Sequence, residues 1–131
     1  MKYILDTDTV SYLVRKNPFI IKKLKKCEND EICISVITYA EICYGLEKRA
    51  SKKLTSEVNE ILRKLTIIDF NHSQSELYGK IRAKIEKSGE PLGNMDILIA
   101  AAALQDGAIL VTHNIKHFKK IDGIKVEDWS C

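Results

Sequence analysis

Short apolar runs alternate with helix-period segments along the chain, and this alternation constrains the possible folds more than any other feature. Five runs have the length and content of buried strands: residues 2–5, 31–35, 66–69, 108–112 and 124–126. The intervening segments have helical spacing or caps: residues 8–14, a segment starting at Pro18, and residues 36–48, 52–65, 73–87 and 95–105. Strands joined through helices run parallel and are covered on both faces. The pattern therefore predicts an α/β fold.

Size and composition indicate one globular domain spanning residues 1–131. Hydrophobic residues make up 45% of the chain and charged residues 30%, which excludes the disordered and collagen-like classes. The longest apolar run, residues 97–104, is shorter than the roughly 18 residues of a membrane span. The first apolar stretch ends at Asp6 after three residues, unlike a signal peptide. We therefore expect a cytoplasmic protein without membrane contact.

Cysteine and charge content add two further expectations. The four cysteines, Cys27, Cys33, Cys43 and Cys131, form no CxxC pair, so we interpret them as reduced thiols rather than zinc ligands. The net charge of +3 permits a nucleic-acid partner without implying one.

Polar side chains follow the predicted strands. Asp6 comes directly after the first strand, and Glu41 lies one turn into the helix that follows the second. Asp96 opens the helix of residues 95–105, which is apolar on every side and is predicted to be buried between layers. Thr112 and Asn114 come after the fourth strand. Because parallel strands end at one edge, where ligands bind in open α/β sheets, we expect these residues to meet there.

Each acid also has an explanation that involves no chemistry. Asp6 or Asp8 would serve as an N-cap of the next helix, and we favour capping for Asp8. Glu41 would form a capping box with Thr38 if the helix began there. Asp96 would be stabilised by the dipole of its helix.

Considered together, the acids favour a metal site. Three carboxylates brought close repel one another and raise some of their pKa values, and a cation relieves that conflict. Oxygen ligands select hard ions such as Mg²⁺ or Mn²⁺. Such an ion polarises a phosphoryl oxygen and activates water, which suits phosphodiester hydrolysis.

Five motifs resemble the PIN-domain ribonucleases, and within them the VapC toxins of toxin–antitoxin pairs. In chain order they are YILDTDTVSYL, CISVITYAEICYGLEK, SGEPLGNMDILIAAAAL, LVTHNIKHFKKIDGI and VEDW. The resemblance spans essentially the whole chain. Within the family, the sequence resembles above all the VapC subgroup that cleaves initiator tRNA.

The resemblance implies a PIN-like three-layer sandwich, with a central parallel sheet of about five strands between helices. It implies a Mg²⁺-dependent endoribonuclease toxin, with Mn²⁺ as a possible substitute, that cuts initiator tRNA(fMet) in the anticodon loop. It also implies toxin homodimers and a VapB-type antitoxin that lies across the active-site groove. The apolar residues of the helices at 36–48 and 52–65 are expected to contribute to a groove or dimer contact, or else to ordinary core.

Carried over by position, Asp6 and Asp96 are the implied metal ligands. Glu41 is the third acid, either a ligand or the group that orients the attacking water. Thr112 and Asn114 occupy the positions of a hydroxyl residue and a fourth polar or acidic residue.

Two positions depart from the family pattern. Asp8 stands where the family usually has asparagine, and it either adds a metal ligand or caps the helix. Asn114 is not an acid, so we expect one tightly held ion rather than two ions on four acids.

Basic residues near the predicted site are candidates for RNA contact. We expect Lys116, Lys119 and Lys120 to hold phosphates, although lysine runs also occur on ordinary solvated faces. A metal-dependent mechanism needs no histidine, so His117 is interpreted with Phe118 as a packing and positioning residue.

Two other classes of protein remain open. A receiver-like signalling domain would use Asp69, after the third strand, as a phosphoryl acceptor with Thr112 after the fourth. An RNA-binding module without catalysis would bind RNA regardless of metal.

Overall fold

Five parallel strands form one sheet within the residues that the computed structural model describes, 1–89 and 92–131. The strands are β1 (Lys2–Leu5), β2 (Glu31–Ser35), β3 (Thr66–Ile68), β4 (Ile109–Val111) and β5 (Lys125–Glu127). The helices are α1 (Thr7–Val14), α2 (Pro18–Lys26), α3 (Val36–Arg49), α4 (Lys52–Leu62), α5 (His72–Ser88), α6 (Asn94–Gln105) and α7 (Ile115–Phe118). The predicted chain break includes Pro91, which lies outside the described residues.

The order of the strands creates a topological switch point beside β1. The sheet runs β3-β2-β1-β4-β5, and all four pairings are parallel. The chain moves outward from β1 to β3 and then returns to the opposite side of β1 as β4. The connection that follows β1 and the connection that follows β4 therefore lead to opposite sides of the sheet. The ends of these two strands are aligned, with Leu5 opposite Val111. Ligands bind in open α/β sheets at such a switch point.

The two faces of the sheet carry separate hydrophobic clusters, as the alternation of side chains along a strand requires. Tyr3 and Leu5 of β1 pack with residues of α1, α2 and α4, including Val10 and Ile20. Ile4 packs on the other face with residues of α5 and α6. The predicted α/β sandwich with a five-stranded parallel sheet is confirmed.

Helix α6 is buried between other elements, as its uniformly apolar sequence predicts. Ile97, Ile99 and the four alanines of 100–103 are each at most 1% exposed, whereas Met95 in the first turn is 46% exposed. The alanines permit a close approach to α5. A buried helix gives its first-turn side chains a fixed position, which matters for Asp96.

One helix ends before its predicted boundary and one short helix was not predicted, whereas the other helix boundaries agree within one residue. The helix expected over residues 52–65 ends at Leu62, and residues 63–65 lead directly into β3. The short helix α7 was not predicted, because four residues are too few to display helical periodicity. Its Phe118 is fully buried, while its His117 is exposed, so the packing interpretation was right for Phe118 and wrong for His117. No helix in the described part of the chain is long and apolar enough to cross a bilayer.

Candidate metal centre at the carboxyl edge of the sheet

Asp6 lies at the switch point, where β1 ends and α1 begins. Its backbone N–H donates to the carbonyl of Val111 on β4 at 3.0 Å, and its Oδ1 accepts from the backbone N–H of Thr9 at 2.8 Å. Asp6 is therefore the N-cap of α1. The capping role that we favoured for Asp8 is wrong, since Asp8 lies exposed in the first turn.

Asp6 is only 3% exposed, and this burial raises the pKa of its carboxyl group. Hydrogen bonds from Thr112 and Thr9 partly offset the increase, while the charge of Asp8 adds to it. A cation bound beside a carboxylate with such a raised pKa would stabilise its charged form.

Glu41 is held by a hydroxyl group of the neighbouring helix. Thr7 Oγ1 donates to Glu41 Oε1 at 2.5 Å, and the same hydroxyl lies 3.4 Å from Thr38 Oγ1. The N-cap of α3 is Ser35, whose Oγ accepts from the backbone N–H of Ile37 at 3.1 Å. Thr38 lies inside the helix, so a capping box with Glu41 is excluded.

Asp96 lies in the first turn of α6, where Gly93 provides the N-cap without a side-chain hydrogen bond. Burial raises its pKa, and the charges of Asp6, Asp8 and Glu41 raise it further. The charge of His117 acts in the opposite direction. Folding therefore brings four acids from three distant segments of the chain within electrostatic reach of one another.

The two polar residues after β4 differ in their surroundings. Thr112 is fully buried, interacts with Asp6 through its side chain and accepts the backbone N–H of Asn114 on Oγ1 at 3.0 Å. Asn114 is exposed, and its side chain does not cap α7. Of this pair, Thr112 is the residue joined to the acids.

The donor set suits a hard divalent cation bound with retained water. None of the ion pairs found in residues 1–89 and 92–131 involves Asp6, Glu41 or Asp96. Over the same residues, no group of three or more His, Cys, Asp or Glu side chains is arranged to hold a metal ion. Mg²⁺ commonly binds through one or two carboxylates and keeps several waters. Asp6 and Asp96 are two carboxylates of the kind that such an ion binds.

Sequence reasoning did not identify the two threonines of α1 as part of this edge. Thr7 bonds to Glu41, and Thr9 joins the site through its backbone N–H to Asp6 and its hydroxyl to the carbonyl of Val111 at 3.1 Å. The signal available was the run of hydroxyl and acidic residues directly after the first strand. It could not show which acid each hydroxyl would meet.

The three lysines predicted to contact RNA are exposed. Lys116 is on α7, and Lys119 and Lys120 follow it. They come directly after the segment that carries Thr112 and Asn114, and Lys120 lines a surface cavity with Leu104 at the other end of α6 from Asp96.

Comparison with known proteins relates this geometry to a family. The PIN domain family matches residues 3–124. Ribonuclease VapC2 of Haemophilus influenzae and the tRNA(fMet)-specific endonuclease VapC of Salmonella typhimurium are 34% and 33% identical over 130 residues, 98% of each chain. The crystal structure of VapBC2 from Rickettsia felis, bound to a DNA fragment from its promoter, aligns with a TM-score of 0.91 at 38% identity, over 98% of this chain and 99% of that chain. The family match and the full-length similarity to these proteins place the chain in the PIN-domain family, among the VapC ribonucleases.

Proposed function

We propose that the chain is the toxin of a VapBC pair and hydrolyses RNA at the carboxyl edge of the sheet with Mg²⁺ bound by Asp6 and Asp96. The observation that carries this proposal is that Asp6 and Glu41 lie near enough to Asp96 for their charges to raise its pKa, while none of the three acids belongs to an ion pair among the described residues. PIN-domain nucleases generally use a divalent metal, which supports a cation as the missing charge.

The bound ion would supply stabilisation of the negative charge that develops on the phosphoryl oxygens. Asp6 is suited to bind it because the Thr9 and Thr112 contacts fix its carboxylate at the switch point. Asp96 is suited because it projects from a buried helix. Glu41 would orient the attacking water by accepting a hydrogen bond from it.

Initiator tRNA(fMet), cut in the anticodon loop, is the proposed substrate. A relative named as a tRNA(fMet)-specific endonuclease is 33% identical over nearly its full length. The exposed Lys116, Lys119 and Lys120 would contact the phosphate backbone, which gives affinity and orientation rather than base preference. Manganese is proposed as a substitute for magnesium because it accepts the same oxygen ligands.

A VapB-type antitoxin and a second copy of the toxin are the proposed partners. Three similar solved structures are VapBC complexes. On α4, Val58 and Leu62 are buried as ordinary core, whereas Tyr39 and Tyr44 of α3 are 36% and 66% exposed. Part of the apolar surface predicted for helices α3 and α4 is therefore exposed on α3, where a partner could bind it.

A receiver-like function is not supported by the topology. Asp69 follows β3, which is the edge strand, so two strand positions separate it from Asp6 on β1. Its side chain is exposed rather than held at the switch point.

Cleavage of purified initiator tRNA with mapping of the RNA ends tests the proposal. The wild-type protein should cut it with Mg²⁺ or Mn²⁺ and not with EDTA, and should leave elongator methionine tRNA largely intact. Asp96→Asn should lower the rate more than about 100-fold without loss of fold. EDTA-resistant RNA binding with no cleavage at any metal concentration would instead indicate an RNA-binding module.

A further inference from the structure

Thr7 makes a side-chain hydrogen bond that helix α1 does not need in order to form. As the first residue of α1, it has no capping duty of its own, because Asp6 is the N-cap. Its hydroxyl reaches across to α3 and donates to Glu41 Oε1 at 2.5 Å. Hydrogen bonds from a hydroxyl to an ionised carboxylate typically measure about 2.5–2.7 Å and are roughly twice as strong as neutral ones.

The direction of this bond follows from the groups involved. An ionised carboxylate can only accept, so the single proton of the Thr7 hydroxyl is directed to Glu41. The hydroxyl of Thr38, which is fully buried, lies 3.4 Å from the same Thr7 oxygen, so the contact with Glu41 is the shorter of the two.

Glu41 needs such a constraint more than the two aspartates do. A glutamate side chain has one more torsion angle than aspartate, so fixing its rotamers costs more conformational entropy. Asp6 is fixed by its capping bond, and Asp96 has fewer torsions on a buried helix. For Glu41, the described ion pairs supply no partner, and the Thr7 hydroxyl holds one oxygen and leaves Oε2 available.

We propose that Thr7 is a positioning residue that holds Glu41 by Oε1, so that Oε2 can receive the attacking water or a metal-bound water. The N-terminus of α1 would then fix two acids at once, Asp6 through the cap and Glu41 through Thr7. This inference rests on the proposed function, because it assigns Thr7 a role in the same reaction.

Three variants distinguish the effect of the Thr7 hydroxyl from the effect of the side-chain volume. Thr7→Val keeps the side-chain volume and removes the donor, Thr7→Ser keeps the donor, and Thr66→Val makes the same change on the exposed edge strand β3. Loss of a residue that orients a ligand at a metal site commonly costs about 10–100-fold in activity or metal affinity. We expect kcat for tRNA cleavage to fall within that range in Thr7→Val, with KM changed less than about twofold.

Thr7→Ser should retain the wild-type rate within about threefold, and Thr66→Val should match the wild type. Melting temperatures and Mn²⁺ dissociation constants are measured for every variant, so a folding defect is detected separately from a defect in the site. A rate for Thr7→Val equal to that of Thr66→Val would overturn the inference, as would a Thr7→Ser variant as slow as Thr7→Val.

A double-mutant cycle with Glu41→Gln tests whether Thr7 acts through Glu41. We expect Thr7→Val to have little further effect on kcat and on Mn²⁺ affinity when Glu41 is already changed. An equal loss in both backgrounds would show that Thr7 acts independently of Glu41. If Glu41→Gln itself cleaves at the wild-type rate, the role proposed for Glu41 fails together with that of Thr7. If Glu41→Gln is inactive while Thr7→Val is fully active, the inference about Thr7 fails alone.

Discussion

Asp6 has a structural role and a proposed chemical role, and two substitutions separate them. Asparagine keeps an oxygen at the position of Oδ1 and is as good an N-cap as aspartate, whereas alanine has no acceptor. Both substitutions remove the buried charge. Comparing Asp6→Ala with Asp6→Asn therefore isolates the capping bond from the charge.

The size of the difference follows from the environment of the lost bond. The N–H of Thr9 that bonds to Asp6 Oδ1 at 2.8 Å is buried, so alanine leaves it without that acceptor. Loss of an N-cap costs about 0.5–2 kcal/mol, and a buried unsatisfied donor lies at the upper end of that range. With an unfolding entropy of about 2.1 cal/mol/K per residue over 131 residues, each kcal/mol corresponds to about 4 °C.

We therefore expect metal-free Asp6→Ala to melt about 4–8 °C below Asp6→Asn, while both fail to cleave tRNA. Thermal unfolding in EDTA measures the first difference, and gel-based cleavage with Mg²⁺ measures the second. Equal melting temperatures would refute the capping argument. Cleavage by Asp6→Asn near the wild-type rate would refute the assignment of Asp6 as a metal ligand.

Three further predictions concern charge. Mg²⁺ should raise the melting temperature of the wild type and leave that of Asp96→Asn nearly unchanged, since binding to the folded state stabilises it; equal increases would contradict the assigned site. The folded-state pKa values of Asp6 and Asp96 are raised, so their contribution to metal-free stability is present below the ordinary aspartate pKa and is lost as pH rises through the folded values. The stability of Asp96→Asn relative to wild type should accordingly increase with pH in EDTA and denaturant, and a constant difference would argue against a raised pKa. Reversal of Lys116, Lys119 and Lys120 to glutamate should weaken tRNA binding and reduce its salt dependence, whereas the same change at residues 52 and 53 should do neither.

Much of the fold was predictable because its signals are local. Residues 2–5 and 31–35 were identified as strands with the bounds that the structure has, since a short apolar run flanked by turn or helix signals depends on its immediate neighbours alone. The burial of α6 followed from apolar residues on all sides. The four-residue α7 and the early end of α4 at Leu62 were missed, because tertiary packing of Phe118 and the start of β3 decide them.

The sequence by itself determined which acids, Asp6, Glu41 and Asp96, come from segments whose ends share one edge of a parallel sheet. Only the tertiary structure decided what each carboxylate contacts. Asp6 rather than Asp8 caps α1, and Glu41 is held by Thr7 from another helix. The physical reason is that hydrogen bonds depend on side-chain positions within a few tenths of an ångström, which are set where separate elements pack together and not by spacing along the chain.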